Sequence, residues 1–239
     1  MSVLQNFQNK KGIILLLDPD KIQLSSLTGL CSKIESSPVD MVFVGGSTVE
    51  QGVTEEIVSL LKTNLNKPIV LFPGEYHQIS GAADALLYLS LLSGRNPEYL
   101  IEQHIKSVPL LEHLDLEIIP TSYILIDGGH TPSTARVTQT SGMSQEYPKQ
   151  IRDTAIAGMW QGKKMTYLEA GSGAIYPVKS EVISMVKKAV NHPVIVGGGI
   201  KSSKDIDAAF DAGADFIVIG TAFENNPNLF DTLNYVRYN

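Results

Sequence analysis

PVIVGGGIKSSKDIDAAFDAGADFIVIGTAFENN, residues 193–226, holds two short aliphatic runs, each ending in glycine, with a helix-length stretch between them. Val194–Val196 and Phe216–Ile219 are apolar on consecutive residues, the pattern of parallel strands covered on both faces. Ser203–Ala212 carries helix signals: Ser202 or Ser203 precedes Asp205 and Asp207, and Gly213 follows Ala212.

The same rhythm extends back through the chain. Strands are expected at Gly12–Leu17, Met41–Val44, Ile69–Phe72, Ala85–Leu89, Glu117–Ile126 and Met165–Glu169. Helices are expected at Leu24–Ser36, Thr54–Asn64, Pro97–Leu114, Tyr147–Trp160 and Lys179–Val190. Eight strands alternating with helices favour one closed (β/α)8 barrel domain over 1–239 rather than an open sheet. Two intervals depart from this rhythm. PGEYHQISGAAD (73–84) has no room for a full helix, so the third outer helix is expected to be missing or reduced to a turn. DGGHTPSTARVTQTSGMSQEY (127–147) follows a strand and precedes a helix, where barrels carry functional loops; it reads as a mobile lid or as a long surface loop.

Composition narrows the function classes. Of 239 residues 43% are hydrophobic, enough for one large core. Nineteen Lys and Arg against 25 Asp and Glu give a net charge of −6, which argues against a nucleic-acid partner or a polybasic membrane anchor. A single cysteine, Cys31, excludes an internal disulfide and a cysteine-rich zinc module. The longest apolar runs, Ile13–Leu17 and Ala85–Leu92, are too short to span a bilayer, and the N-terminal residues lack a secretory pattern. A cytoplasmic setting is therefore expected, with peripheral membrane contact for product release left open.

Glycine turns after strands seven and eight let backbone approach a ligand closely, and barrels often form a phosphate cradle there. Gly198, Gly199, Gly220 and Thr221 are the candidate donors; tight turns alone are the alternative for one such turn, less so for two. There is no Walker loop and no GxGxxG stretch. Strand six ends in TYLEAGSGA, where alternation places Tyr167 and Glu169 on one face and Leu168 on the other. Glu169 beside the cradle could accept a proton from a substrate hydroxyl or hold that hydroxyl; pairing with a barrel cation is the alternative. LLLDPDK and VFVGGST end strands one and two, so Asp18 and Ser47 could form a sparse Mg²⁺ site completed by substrate phosphates, unless Asp-Pro-Asp is an ordinary turn. Lys21 contacts a diphosphate or is solvated. His130 could join Asp127 at a metal or stand as a loop histidine. Tyr147, Trp160 and Tyr176 are expected in the core or in subunit contacts. SGAADALLYLSLLSGRNP is a buried strand or the lining of an apolar groove beside the absent helix.

These stretches together resemble the geranylgeranylglyceryl phosphate synthase family, which includes heptaprenylglyceryl phosphate synthases. The carriers are LLLDPDK (15–21), VFVGGST (42–48), SGAADALLYLSLLSGRNPEYLI (80–101), YLEAGSGA (167–174), VGGGIKS (196–202) and VIGTAFE (218–224). The resemblance implies a barrel with its third helix replaced, and transfer of a polyprenyl group, by family default geranylgeranyl, from its diphosphate to sn-glycerol 1-phosphate in ether phospholipid synthesis. By it, Asp18 and Ser47 fall on Mg²⁺ positions. Tyr167, Leu168, Glu169, Ala170, Gly171, Ser172 and Gly173, with Gly198, Gly199, Gly220 and Thr221, fall on acceptor contacts, and Glu169 engages the glycerol hydroxyl. A homo-oligomer, dimer or hexamer, fits the family. DGGHTPS looks closer to its second, partly bacterial branch. Leu16 stands where some bacterial relatives carry Lys, which shifts phosphate binding away from strand one. A phosphosugar isomerase or aldolase on the same barrel, and a barrel that binds without turnover, are the rival readings; no expected strand contains Lys, against a Schiff-base aldolase.

Overall fold

The computed structural model describes residues 2–8 and 10–226. The single-domain expectation over 1–239 therefore extends onto residues 227–239, which lie outside the described ones. Eight parallel strands close into a barrel in sequence order: β1 (Gly12–Leu17), β2 (Val39–Val44), β3 (Ile69–Leu71), β4 (Ala85–Leu91), β5 (Glu117–Leu125), β6 (Met165–Glu169), β7 (Val194–Gly197) and β8 (Phe216–Ile219). Pairing of Gly12–Leu15 with Phe216–Ile219 closes the ring. The helices are α1 (Val3–Asn6), α2 (Leu27–Ser36), α3 (Val53–Asn64), α4 (Gln103–Leu111), α5 (Ser133–Thr138), α6 (Pro148–Trp160), α7 (Ser180–Lys187), α8 (Ser203–Asp211) and α9 (Thr221–Asn225).

Alternation along each strand divides the apolar residues into two layers. Ile14, Met41, Phe43, Val70, Tyr167 and Phe216 fill the barrel interior. Ile13, Val42, Leu168, Val196 and Ile217 face outward onto helix residues such as Ile57, Leu61, Val182 and Phe210. Consecutive apolar residues are thus the mark of strands buried on both sides.

No helix connects β3 to β4, as the short interval requires. The connection closes on itself instead, with Gly74 N–H donating to Gln78 Oε1 at 3.0 Å. The stretch read as one helix over Pro97–Leu114 is a π-helical turn, Glu98–Glu102, continued by α4. Residues 127–147 contain α5 and a parallel bridge of Ile126 to Met143. Two backbone bonds fasten this segment to the end of β5, Met143 N–H to Leu125 O at 2.8 Å and Asp127 N–H to Met143 O at 2.9 Å.

The end of the barrel at the strand N-termini is closed by α1, whose following residue Phe7 is fully buried against Phe216 and Phe43 at ring centroid distances of 4.9 and 6.4 Å. Carboxylates there accept strand N–H groups: Asp40 from Ile13 at 3.0 Å, Asp84 from Ile69 at 2.7 Å and Asp215 from Val194 at 2.7 Å. Strand ends that would leave donors unpaired are satisfied in this way. The opposite end is left for loops.

Candidate active site

At the C-terminal end, β6 carries Tyr167 and then Glu169 inward, two residues apart on one face. Below Glu169 lies an aromatic floor. Phe72 stacks on Tyr167 at 5.1 Å and meets Tyr123 edge-on at 5.7 Å, and Tyr123 and Tyr167 are 5.6 Å apart. Strand register explains the pair, because Tyr123 of β5 lies opposite Tyr167 of β6.

Glu169 is 7% exposed and has no salt-bridge partner among the described residues. Its Oε1 accepts the Gly171 N–H at 2.6 Å. Burial pushes the carboxyl above its ordinary value, while the Gly171 N–H and the neighbouring Tyr167 phenol pull it back. The alternative of a carboxylate neutralised by a barrel cation is excluded for these residues. Tyr167 Oη is buried beside Glu169 and makes no hydrogen bond to any other described group.

The glycine turns converge on this carboxylate. Gly198 has φ +80°, and a Cβ there would lie 2.6 Å from Glu169 Oε1 and 2.5 Å from Gly171 N. Only a residue without a side chain fits that conformation and that gap. Ser172 Oγ and Thr221 Oγ1, 2.9 Å apart, join the β6 and β8 loops across the cradle. The start of α8 contributes less than the sequence implies. Ser202 and Asp205 form a capping box, and the Asp205 carboxylate already accepts the N–H groups of Lys201 at 3.1 Å and Ser202 at 2.9 Å. Those two N–H groups are thus engaged within the chain, which leaves the glycine turns as the candidate anion site.

One cavity of about 410 Å³ is lined by Tyr167, Glu169, Gly171, Ser172, Gly173, Gly198, Gly199, Gly220 and Thr221 together with Asp18 and Ser47. Leu168 and Ala170 do not line it; alternation turns both side chains into the helix-facing layer. Asp18 and the β2 turn are adjacent, since a Cβ on Gly46 would come within 2.9 Å of Asp18 Oδ1. Lys21 sits between two carboxylates, 3.0 Å from Glu224 Oε2 and 3.4 Å from Asp18 Oδ2. Burial raises the Asp18 carboxyl, and Lys21 opposes the rise. Lys21 is therefore an ion-paired wall residue of the cavity, neither isolated nor merely solvated.

On its other side the cavity runs along Leu87, Leu89, Tyr88 and Tyr99 and under α4, where Gln103, His104 and Ser107 form the wall. This is the apolar groove beside the absent helix. Burial lowers the His104 imidazole, which keeps it neutral in this lining. Phe72, Tyr123 and Thr134 also line the cavity and were not singled out from sequence; Leu16, noted there as standing in place of a lysine, lines it as well. For Phe72 and Tyr123 the usable signal was strand alternation; for Thr134 there was none. His130 and Asp127 are exposed, and no group of three or more His, Cys, Asp or Glu residues among those described could hold a metal. Tyr147 at the N-cap of α6, Trp160 at its last residue and Tyr176 in the loop before α7 are exposed, Trp160 by 81%; the core reading of these three is corrected.

A model of the PcrB family matches residues 5–236. The chain belongs to the PcrB family. Among its relatives, the geranylgeranylglyceryl phosphate synthase of Zunongwangia profunda is 50% identical over 91% of this chain and 92% of the relative. The synthase of the same name from Flavobacterium johnsoniae is 48% identical over 93% and 92%. The crystal structure of (S)-3-O-geranylgeranylglyceryl phosphate synthase from Thermoplasma acidophilum, in complex with its substrate sn-glycerol-1-phosphate, is similar with a TM-score of 0.91 at 32% identity, covering 98% of this chain and 96% of that one. The barrel and its missing helix are thus the architecture of a PcrB family member. No helix among the described residues is long and apolar enough to cross a membrane.

Proposed function

We propose that this chain is a prenyltransferase joining the 3-hydroxyl of sn-glycerol 1-phosphate to a polyprenyl diphosphate, geranylgeranyl diphosphate by family default, with release of pyrophosphate. The carrying observation is the buried, cation-free Glu169 held against Gly198 and Gly171 at the head of an apolar groove. Relatives of the same name at 50% and 48% identity, and the acceptor named in the similar crystal structure, support the choice of substrates.

The glycine turns bind the acceptor phosphate, and Glu169 orients the glycerol hydroxyl. As the O–C1 bond forms and the bond from C1 to the diphosphate breaks, the hydroxyl proton passes to Glu169 and the electron pair leaves with pyrophosphate. The groove holds the prenyl chain and keeps water from C1. Holding both reactants in line contributes up to about 7–11 kcal/mol to such a step. Asp18 and Ser47 fit Mg²⁺ as one carboxylate and one hydroxyl that leave most positions to diphosphate oxygens, a donor set usual for that ion. Bound there, Mg²⁺ would supply neutralisation of the departing diphosphate. A cytoplasmic homo-oligomer, dimer or hexamer, belongs to the same proposal; exposed Trp160, Tyr147 and Tyr176 support subunit contact.

The test is incubation with labelled sn-glycerol 1-phosphate, geranylgeranyl diphosphate and Mg²⁺. An extractable ether product with stoichiometric pyrophosphate is expected, and folded protein giving neither overturns the reading. Asp18→Ala is expected to lower turnover at least tenfold and flatten its Mg²⁺ dependence; an unchanged Mg²⁺ titration moves the metal elsewhere.

A further inference from the structure

The segment between β5 and α6 touches both halves of the cavity. Thr134 Oγ1, in α5, lies 3.2 Å from Ser47 Oγ on the β2 turn, 87 positions away in sequence. Two residues earlier, Pro132 packs on the acceptor loop, so close that a Cβ on Gly171 would come within 2.7 Å of its ring. Thr134 is not free to drift. Thr138 Oγ1 donates to Thr134 O at 2.7 Å, and Asn96 Nδ2 donates to Thr138 O at 3.1 Å. Its own hydroxyl acts on the buried Tyr123 phenol of the site floor.

A serine hydroxyl serves a cation through its lone pairs, which requires its proton to point elsewhere. Ser47 is only partly buried, and its hydroxyl would otherwise rotate among several directions. We propose that Thr134 is a positioning residue for the donor side of the reaction: it accepts the Ser47 hydroxyl proton and so turns the Ser47 lone pairs into the cavity. In this proposal the neighbouring Tyr123 phenol takes the proton of Thr134 itself, so the chain runs Ser47 to Thr134 to Tyr123. The inference rests on the reading of Asp18 and Ser47 as the donor-side ligands. It assigns the 127–147 segment a task other than covering the site.

The test uses titration calorimetry of the intact protein with MgCl₂ and inorganic pyrophosphate, and separately with sn-glycerol 1-phosphate. Thr134→Val, which keeps the shape and removes the hydroxyl, is expected to weaken Mg²⁺–pyrophosphate binding roughly 3–10-fold, the size of one hydrogen bond. It is expected to raise KM for the polyprenyl diphosphate by a similar factor and to leave acceptor binding unchanged. Thr134→Ser is expected to restore wild-type binding, and Thr134→Val added to Ser47→Ala to weaken it no further. Wild-type affinity in Thr134→Val, an equal loss for both ligands, or failure of Thr134→Ser to rescue overturns the role of Thr134. If Ser47→Ala weakens Mg²⁺–pyrophosphate binding and Thr134→Val does not, only that role falls. If wild type does not bind Mg²⁺–pyrophosphate, or Ser47→Ala leaves its binding unchanged, the donor-side reading falls and the inference with it.

Discussion

Glu169 has to be charged to take a proton, yet it sits where charge is disfavoured. Aromatic rings floor it, one backbone N–H supports it, and burial raises its carboxyl above the usual 4.5. With Glu169 as the proposed base, activity is expected above the folded-state value and is expected to be lost as pH falls through it. The acid limb of kcat/KM for sn-glycerol 1-phosphate is therefore expected above the range of an exposed glutamate, and Glu169→Gln is expected to remove that limb. The same variant is expected to lower kcat by about 100-fold or more, the usual share of a general base, with acceptor binding retained. Wild-type turnover in Glu169→Gln rules out the base role. At this scale the sequence was readable where strand period decides: Tyr167 and Glu169 inward, Leu168 outward. Carrying the whole YLEAGSG stretch into the site was too generous, because Leu168 and Ala170 obey the same period and face the helices. Phe72 and Tyr123 were missed although that period holds for them too; their role needs the neighbouring strand's register, which no single strand contains.

Elements are set by local signals to different degrees. Strand cores and the capping box at Ser202 and Asp205 follow from residue type and spacing, and all eight strands lie where aliphatic runs occur. Short helices such as α1, α5 and α9 carry too few periodic residues to announce themselves, since a single turn costs nearly as much to nucleate as it gains. The turn after β7 is where an element's geometry becomes chemistry. Gly198→Ala would force a side chain into φ +80° and into the space of Glu169 Oε1 and Gly171 N. Strain of that kind is expected to raise KM for sn-glycerol 1-phosphate tenfold or more. Little change in KM for the prenyl donor is expected, because the groove wall lies on the opposite side. Equal rises in both KM values would mean that the cradle and groove move together, contrary to the separation described.

Across the whole molecule, the two ends of the barrel differ: loops and glycines at one end line the candidate site, and side chains at the other hold the strands together. His192 lies in the stabilising end, with Nε2 2.8 Å from the buried Thr166 hydroxyl. Burial lowers its imidazole from 6.5 to about 4, so the unfolded chain takes up a proton that the folded one refuses. Stability is accordingly full above the unfolded value of 6.5 and lost as pH falls from there toward about 4. Urea midpoints measured at pH 7 and pH 5 are expected to differ less in His192→Asn than in wild type; an equal drop assigns the acid sensitivity to other groups. Phe7 gives the sharper division. Nothing in the first residues marks a strand or a complete helix, and their place in the barrel became visible only when the closed ring showed an end that needs filling. The ring is fully buried between Phe43 and Phe216, so Phe7→Ala leaves a cavity there. A loss of about 3–5 kcal/mol is expected in urea unfolding. Glu169 stands at the opposite end of β6 from the strand N-termini that α1 closes, and the aromatic floor of Phe72, Tyr123 and Tyr167 lies between. Prenyl transfer at 25 °C by the folded fraction is therefore expected within twofold of wild type. A variant that keeps its stability shows that α1 does not plug the barrel, and one that loses turnover while folded shows that the two ends are not independent.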